Sequence, residues 1–194
     1  DTYNLTPEDV AMVVMPLFHV HGLLGVLFST LASGGSAVLP GRFSARAFGP
    51  VAAEYGASWY SAVPTIHQIL LTRAEGDDAP RGTFRFIRSC SASLPAATLE
   101  EMEELFGAPV LEAYGMTENC GYSHLGRPSR QRPGYIGLPN PGVECRLGPQ
   151  GELLVRSKTL MLGYHKDPVR TAEVLDEDGF LHTGDAAEID QEGF

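Results

Sequence analysis

Lysine is almost missing from this chain: Lys158 and Lys166 are the only two among 194 residues. Neither ends a GxxxxGK[ST] stretch, so a lysine-based phosphate loop is excluded. No GxGxxG and no GxSxG occurs either, which removes the dinucleotide fingerprint and the hydrolase elbow. Cysteine is scarce, with Cys90, Cys120 and Cys145 lying 30 and 25 positions apart and forming no CxxC pair. Neither a disulfide framework nor a structural zinc site follows, and a reducing, cytoplasmic setting is expected. No basic-plus-apolar leader is read in the first residues, and no stretch of about 18 apolar residues could span a bilayer. Basic charge is also short. Fourteen Lys and Arg face 24 Asp and Glu for a net −10, split as −1 up to Leu99 and −9 from Glu100 onward. Such a field argues against nucleic acid or an anionic membrane as partner.

What is present suits a globular core. Hydrophobic residues make up 43% and charged residues 20%, a balance that excludes wholesale disorder. In the first half, apolar runs of strand length alternate with helix-like ones. Strands are expected at Val10 to Met15, Ser36 to Leu39, Ser58 to Ala62, Phe84 to Ser89 and Pro109 to Ala113. Between them, helices are expected over Leu23 to Ala32, from a Ser44 cap to Tyr55, from Pro64 to Arg73 and from Pro95 to Phe106, with a polar loop at Gly76-Asp77-Asp78. This alternation predicts βαβ units: an α/β fold, its mostly parallel sheet flanked by helices. Past Gly121 the pattern changes. Arg127 to Gly134 reads as a surface loop. Ile136 to Leu147, Gly151 to Ser157 and Phe180 to Ile189 read as strands, with a helix near Pro168 to Val174. A small antiparallel β lobe is therefore expected at the C-terminal end. Residues 1–125 would form an α/β subdomain and residues 126–194 the start of a β-rich one.

Three segments carry chemistry. His19-Val20-His21 would set two imidazoles on one side of an extended segment, but no spacing supplies a third and fourth ligand, so no metal site is expected there. Glu112-Ala113-Tyr114-Gly115-Met116-Thr117-Glu118 follows a buried strand, and Gly115 permits a sharp turn at its C-terminal end, the edge where open α/β sheets bind ligands. A Thr hydroxyl beside a carboxylate can serve phosphate oxygens and a divalent cation together. The same residues equally suit a plain strand-to-loop turn with a capping Thr and a solvated Glu. Thr183-Gly184-Asp185 closes a strand; its Asp could accept both hydroxyls of a ribose or simply shape a hairpin turn.

In combination these segments resemble the AMP-forming adenylating superfamily of acyl-CoA synthetases, luciferases and peptide-synthetase adenylation domains. Met15-Pro16-Leu17-Phe18-His19-Val20-His21-Gly22 is similar to its PLFH…G motif, and Tyr114-Gly115-Met116-Thr117-Glu118 to its YGxTE. Gly151-Glu152-Leu153 with Gly163-Tyr164 resembles GEL…GY, and Thr183-Gly184-Asp185 resembles TGD. Four motifs stand in family order over essentially the whole chain. The resemblance implies that Tyr114 stacks on adenine, Thr117 holds the α-phosphate, Glu118 holds Mg²⁺ and Asp185 binds the ribose. His19 would sit beside the acyl carboxylate, with His21 and Ser91 also facing the substrate. The loop Ser91, Ala92 and Ser93 and the run Glu112, Ala113, Tyr114, Gly115 and Met116 would wall the nucleotide. Thr117, Glu118 and His19 would carry the chemistry: a carboxylic acid activated with ATP to an acyl-adenylate, then transferred to coenzyme A.

Two parts of that pattern are missing. The Ser/Thr/Gly-rich phosphate loop ending in Pro-Lys-Gly would precede Asp1, and the small domain with the adenylation lysine would follow Phe194. The resemblance thus implies an excised piece that folds, grips ATP weakly and does not turn over alone. Apolar surfaces left uncovered would let the piece self-associate. Within the superfamily, Arg85-Phe86-Ile87-Arg88-Ser89-Cys90-Ser91-Ala92-Ser93-Leu94, Gly41-Arg42-Phe43-Ser44 and the run from Trp59 to Gln68 look most like the oxalate–CoA ligase branch. Polar His19, His21 and Ser91 suit oxalate or another short acid, where a fatty acid would need an apolar tunnel; read as common superfamily features instead, they leave a medium-chain or aromatic acid as the alternative. An adenylation domain loading a carrier protein, or a non-catalytic nucleotide-binding module, would use the same motifs.

Overall fold

Strands β1 (Val10–Met12), β2 (Ser36–Val38), β3 (Trp59–Ala62), β4 (Phe86–Cys90) and β5 (Val110–Met116) run parallel in the order β2-β1-β3-β4-β5. They belong to a computed structural model that describes residues 2–73, 82–130 and 132–194. The loop expected at Gly76-Asp77-Asp78 lies outside the described residues. β3 and β4 are buried at every position, as parallel strands covered on both faces must be. Two further strands, β6 (Gly121–Leu125) and β7 (Leu138–Pro139), extend the sheet antiparallel beyond β5 to seven strands.

One face carries α3 (Ala45–Glu54), α4 (Pro64–Arg73) and α5 (Ala96–Phe106). Ser44 caps α3 by accepting from the Ala47 amide, and Gly107 ends α5 at φ 64, the left-handed stop that glycine permits. Phe48 of α3 lies against the Tyr60 ring at 4.9 Å, with Phe84 and Phe106 at 5.9 and 6.3 Å. Each such pair adds about 0.5–1.5 kcal/mol beyond the area it buries. The opposite face is covered by α1 (Val20–Gly22), a π-helical stretch Leu23–Phe28 and α2 (Ser29–Ala32). There Val26 packs in one cluster with Ala11, Val13, Trp59 and Phe86. Helical structure thus begins at Val20 rather than at the expected Leu23. Among the described residues no helix is long and apolar enough to cross a membrane.

A separate antiparallel sheet, β10-β9-β8, follows: β8 (Glu144–Leu147), β9 (Glu152–Arg156) and β10 (Leu181–Ala186), with α6 (Pro168–Val174) capped by Asp167. The fold class is as expected, but the strand reading near its middle is corrected. β6 had no counterpart in the sequence reading, and the expected strand Ile136 to Leu147 is two strands in different sheets. Pro139, Pro141 and Gly142, with φ 82 at the glycine, break it, and the Val143 amide closes the turn on the Asn140 carbonyl at 2.9 Å. Residues on both sides of position 125 therefore contribute to the larger sheet.

Candidate active site

Parallel strands deliver their C-terminal ends to one edge of the sheet, and the motif residues gather there. β4 ends at Cys90, after which Ser91 takes a left-handed conformation (φ 71) and opens the exposed loop to Ser93. β5 ends at Met116 and passes into a short 3₁₀ turn, Thr117–Asn119. His19 caps α1, its Nδ1 accepting from the His21 amide at 3.2 Å. His19, His21, Ser91, Gly115, Met116, Thr117 and Glu118 thereby surround one cleft of about 260 Å³.

Tyr114 and Asp185 meet in an adjoining cavity of about 500 Å³, walled also by Gly134, Tyr135, Ile136 and Leu153. The Tyr114 hydroxyl donates to Asp185 Oδ2 at 2.6 Å. Asp185 is positioned by its turn: Thr183 Oγ1 donates to the Leu153 carbonyl at 2.7 Å and accepts the Asp185 amide at 3.1 Å, while the Gly184 amide donates to Glu152 Oε1. Ala92 and Ser93 are exposed on the β4–α5 loop, outside both cavities, and Glu112 and Ala113 are buried within β5. The Glu112 carboxylate accepts from the Gly134 amide at 3.1 Å, and burial pushes its pKa up.

Two local expectations change. Gly115 does not turn the chain; it lies inside β5, where a Cβ would come within 1.8 Å of the Gly121 carbonyl oxygen on β6. Its bareness lets the two strands approach. His21 is not on an extended segment but in the first helical turn, buried, and separated by the helix geometry from exposed His19.

Beneath the cleft lies a polar cluster that sequence reasoning missed. His21 Nδ1 is 3.2 Å from Ser91 Oγ, and Nε2 is 2.7 Å from Ser61 Oγ. Arg88 Nε donates to the same Ser61 oxygen at 2.9 Å, and Cys90 Sγ lies 3.0 Å from His21 Nε2. Burial, reinforced by the Arg88 charge, pushes His21 down to about 3. The visible signal was a charged residue at every-other spacing in a buried strand: Phe86, Arg88 and Cys90 share one face. Tyr164 was noticed only as part of a motif. Its hydroxyl donates to Glu118 Oε1 at 2.9 Å.

The described residues contain no group of three or more His, Cys, Asp or Glu able to hold a metal ion. A single carboxylate suits Mg²⁺, which takes one or two carboxylates together with substrate phosphates and water. Glu118 fits that role, and a protein-caged metal does not fit this site.

A cleft at the carboxyl edge of a parallel sheet, flanked by a carboxylate from an antiparallel lobe, defines an α/β ligand-binding domain. The chain belongs to the AMP-binding enzyme family, whose sequence profile matches residues 1–165. It is 42% identical to an oxalate–CoA ligase of Arabidopsis thaliana over 99% of this chain and 40% of that protein. With an oxalate–CoA ligase of Saccharomyces cerevisiae the identity is 41%, over 100% of this chain and 38% of the relative. A malonyl-CoA ligase solved as a ternary product complex with methylmalonyl-CoA and AMP superimposes with a TM-score of 0.90 at 35% identity, over 100% of this chain and 44% of that one. The chain thus spans about 40% of the length of the curated relatives it matches.

Proposed function

We propose that the protein carrying this chain is an AMP-forming acid–thiol ligase for a short acid, oxalate or one close to it in size. A carboxylate oxygen attacks the α-phosphorus of ATP, the bond to the β-phosphate oxygen breaks, and pyrophosphate leaves. The thiolate of coenzyme A then attacks the acyl-adenylate carbonyl and AMP departs. The observation that carries this reading is the single cleft shared by His19, His21, Ser91, Thr117 and Glu118, next to the Tyr114–Asp185 pair.

Tyr114 lies along the adenine and Asp185 accepts the ribose hydroxyls. Thr117 donates to an α-phosphate oxygen, and Glu118 holds Mg²⁺, which neutralises phosphate charge when bound. His19, His21 and Ser91 face the acyl group, with the Ser91-Ala92-Ser93 loop between the two halves of the site. Positioning and charge neutralisation supply most of the rate. A second carboxylate buried among apolar groups would cost several kcal/mol, and the polar floor here offsets part of that cost. The names of the relatives, oxalate–CoA and malonyl-CoA ligases, support a small acid bearing two carboxylates. The number and spacing of Cys90, Cys120 and Cys145, with no CxxC pair, support a reducing, cytoplasmic setting.

The test is pyrophosphate release by the complete natural polypeptide that carries these residues. Oxalate should outpace octanoate. Equal or greater activity on octanoate would overturn the substrate while leaving the family intact.

A further inference from the structure

Arg88 is 3% exposed in the middle of β4. A guanidinium at that depth ordinarily faces a carboxylate, yet none among the described residues pairs with it. Nε donates to Ser61 Oγ, and Nη2 donates to the Gly25 carbonyl at 2.5 Å. Its carbon lies 4.4 Å from the centre of the Tyr122 ring and 5.4 Å from that of Trp59. Gly25 makes room for this arrangement, because a Cβ there would sit 2.6 Å from the Tyr122 hydroxyl. A buried, charged donor is thus enclosed by ring faces and directed at one serine hydroxyl and one backbone carbonyl.

The direction of each hydrogen bond follows from what Arg88 lacks. A guanidinium has no acceptor, so Ser61 Oγ must accept from it. The Ser61 proton then has two acceptors in reach: His21 Nε2 at 2.7 Å and Cys90 Sγ, a weak one, at 3.8 Å. The shorter bond to imidazole wins. Neutral His21, accepting at Nε2, carries its proton on Nδ1 and donates it to Ser91 Oγ at 3.2 Å. Ser91 accepts, which leaves its own proton to be donated into the cleft. Every bond in the series Arg88, Ser61, His21, Ser91 points outward, with a fixed positive charge at its buried end.

We propose that Arg88 is a positioning residue that, through Ser61 and His21, makes Ser91 a dedicated donor to an anionic acceptor, the distal carboxylate of the acyl substrate. This rests on the assignment of the cleft to the acyl substrate. A carboxylate accepts only, so it matches the outward polarity. A methyl or methylene at the same place leaves the Ser91 donor unpaired.

Two readouts on the complete natural polypeptide test it: kcat/KM for oxalate relative to acetate, and the His21 ring tautomer by ¹⁵N NMR, assigned through loss of the signal in His21→Asn. Arg88→Met should lower the oxalate-to-acetate ratio at least about tenfold, the scale of a lost bond to a charged group, and Arg88→Lys should retain more of it. In both Arg88→Met and Ser61→Ala the His21 proton should no longer reside wholly on Nδ1. Ser61→Ala leaves the guanidinium in place and carries the test if Arg88→Met fails to fold. An unchanged ratio with an unchanged tautomer in Ser61→Ala would overturn the proposal, as would equal losses on both acids. If the unsubstituted protein shows no preference for oxalate, the substrate reading has failed instead, and the tautomer still judges the relay.

Discussion

Tyr164 donates its hydroxyl to Glu118 Oε1 at 2.9 Å, while the Met161 amide donates to the Glu118 carbonyl at 2.7 Å. One acidic residue on the turn after β5 is therefore held at its side chain and its backbone by the segment leading into α6. Groups that orient a metal-binding carboxylate typically change metal affinity about 10–100-fold. Tyr164→Phe keeps the ring and removes only the donor. It should raise the Mg²⁺ concentration for half-maximal adenylation about tenfold, whereas Glu118→Ala should lower the rate itself about 100-fold. A Mg²⁺ titration of pyrophosphate release separates the two effects. Identical Mg²⁺ dependence in Tyr164→Phe would remove the positioning role.

A second tyrosine–carboxylate bond, from Tyr114 to Asp185, ties β5 to β10. Tyr114 engages Oδ2, which leaves Oδ1 for the ribose that the proposed function assigns to this carboxylate. Losing a bond to a charged group costs about 1.5–3 kcal/mol, so Asp185→Ala should raise the KM for ATP at least about tenfold. Tyr114→Phe keeps the face for adenine and should raise KM only a few-fold. If Tyr114→Phe is as damaging as Asp185→Ala, the phenol and not the carboxylate meets the nucleotide.

Gly115→Ala tests a packing claim. The added Cβ would meet the Gly121 oxygen at 1.8 Å and the Tyr122 Cα at 2.6 Å. Both are backbone atoms of the paired strand, so relief requires β6 to move. Overpacking of this kind costs about 1–3 kcal/mol and at times more. Urea unfolding should show a fall in unfolding free energy of that size, accompanied by loss of activity. Unchanged stability would mean that β5 and β6 are not apposed at this point.

The parallel sheet was legible because strand-length runs alternate with helix-length ones, and it stayed so although buried Ser61 and Arg88 interrupt the apolar residues of β3 and β4. Ser44, by its capping hydroxyl, and Pro64, by its fixed φ, marked helix starts. β6 was not legible: its reversal from β5 runs through a 3₁₀ turn, Thr117–Asn119, and then Cys120 at φ 60 and Gly121 at φ 132 rather than through a two-residue hairpin turn, and its residues Ser123 and His124 are buried polar groups. At the site, motif order pointed to Tyr114, Thr117, Glu118 and Asp185, which line two neighbouring cavities. The partners Tyr164, Ser61 and Arg88 act through contacts spanning 27 to 46 positions, and no local pattern encodes such a distance.

Three buried histidines give stability a specific pH dependence. Burial holds His67 and His124 down to about 4, and burial with the Arg88 charge holds His21 down to about 3. The sign follows from which state binds the proton. Below the ordinary histidine value of 6.5 the unfolded chain takes up protons that the folded chain refuses until near 4 or 3. The stabilisation is therefore complete above pH 6.5 and is lost as pH falls through that window. Each group contributes at most about 1.4 kcal/mol per pH unit there. Together they should remove about 3 kcal/mol between pH 6 and pH 5, a large share of a typical domain's 5–15 kcal/mol. Urea unfolding of the 194-residue chain at pH 7, 6 and 5, followed by the fluorescence of its single Trp59, should show this fall at constant m-value. His67→Gln, which can still face the Tyr60 hydroxyl that His67 Nδ1 meets at 3.2 Å, should be less stable at pH 7 and lose about one proton's worth of slope. Stability that stays flat from pH 6.5 to pH 5 would mean that these imidazoles are protonated in the folded protein, and the neutral His21 on which the Arg88 series depends would go with them.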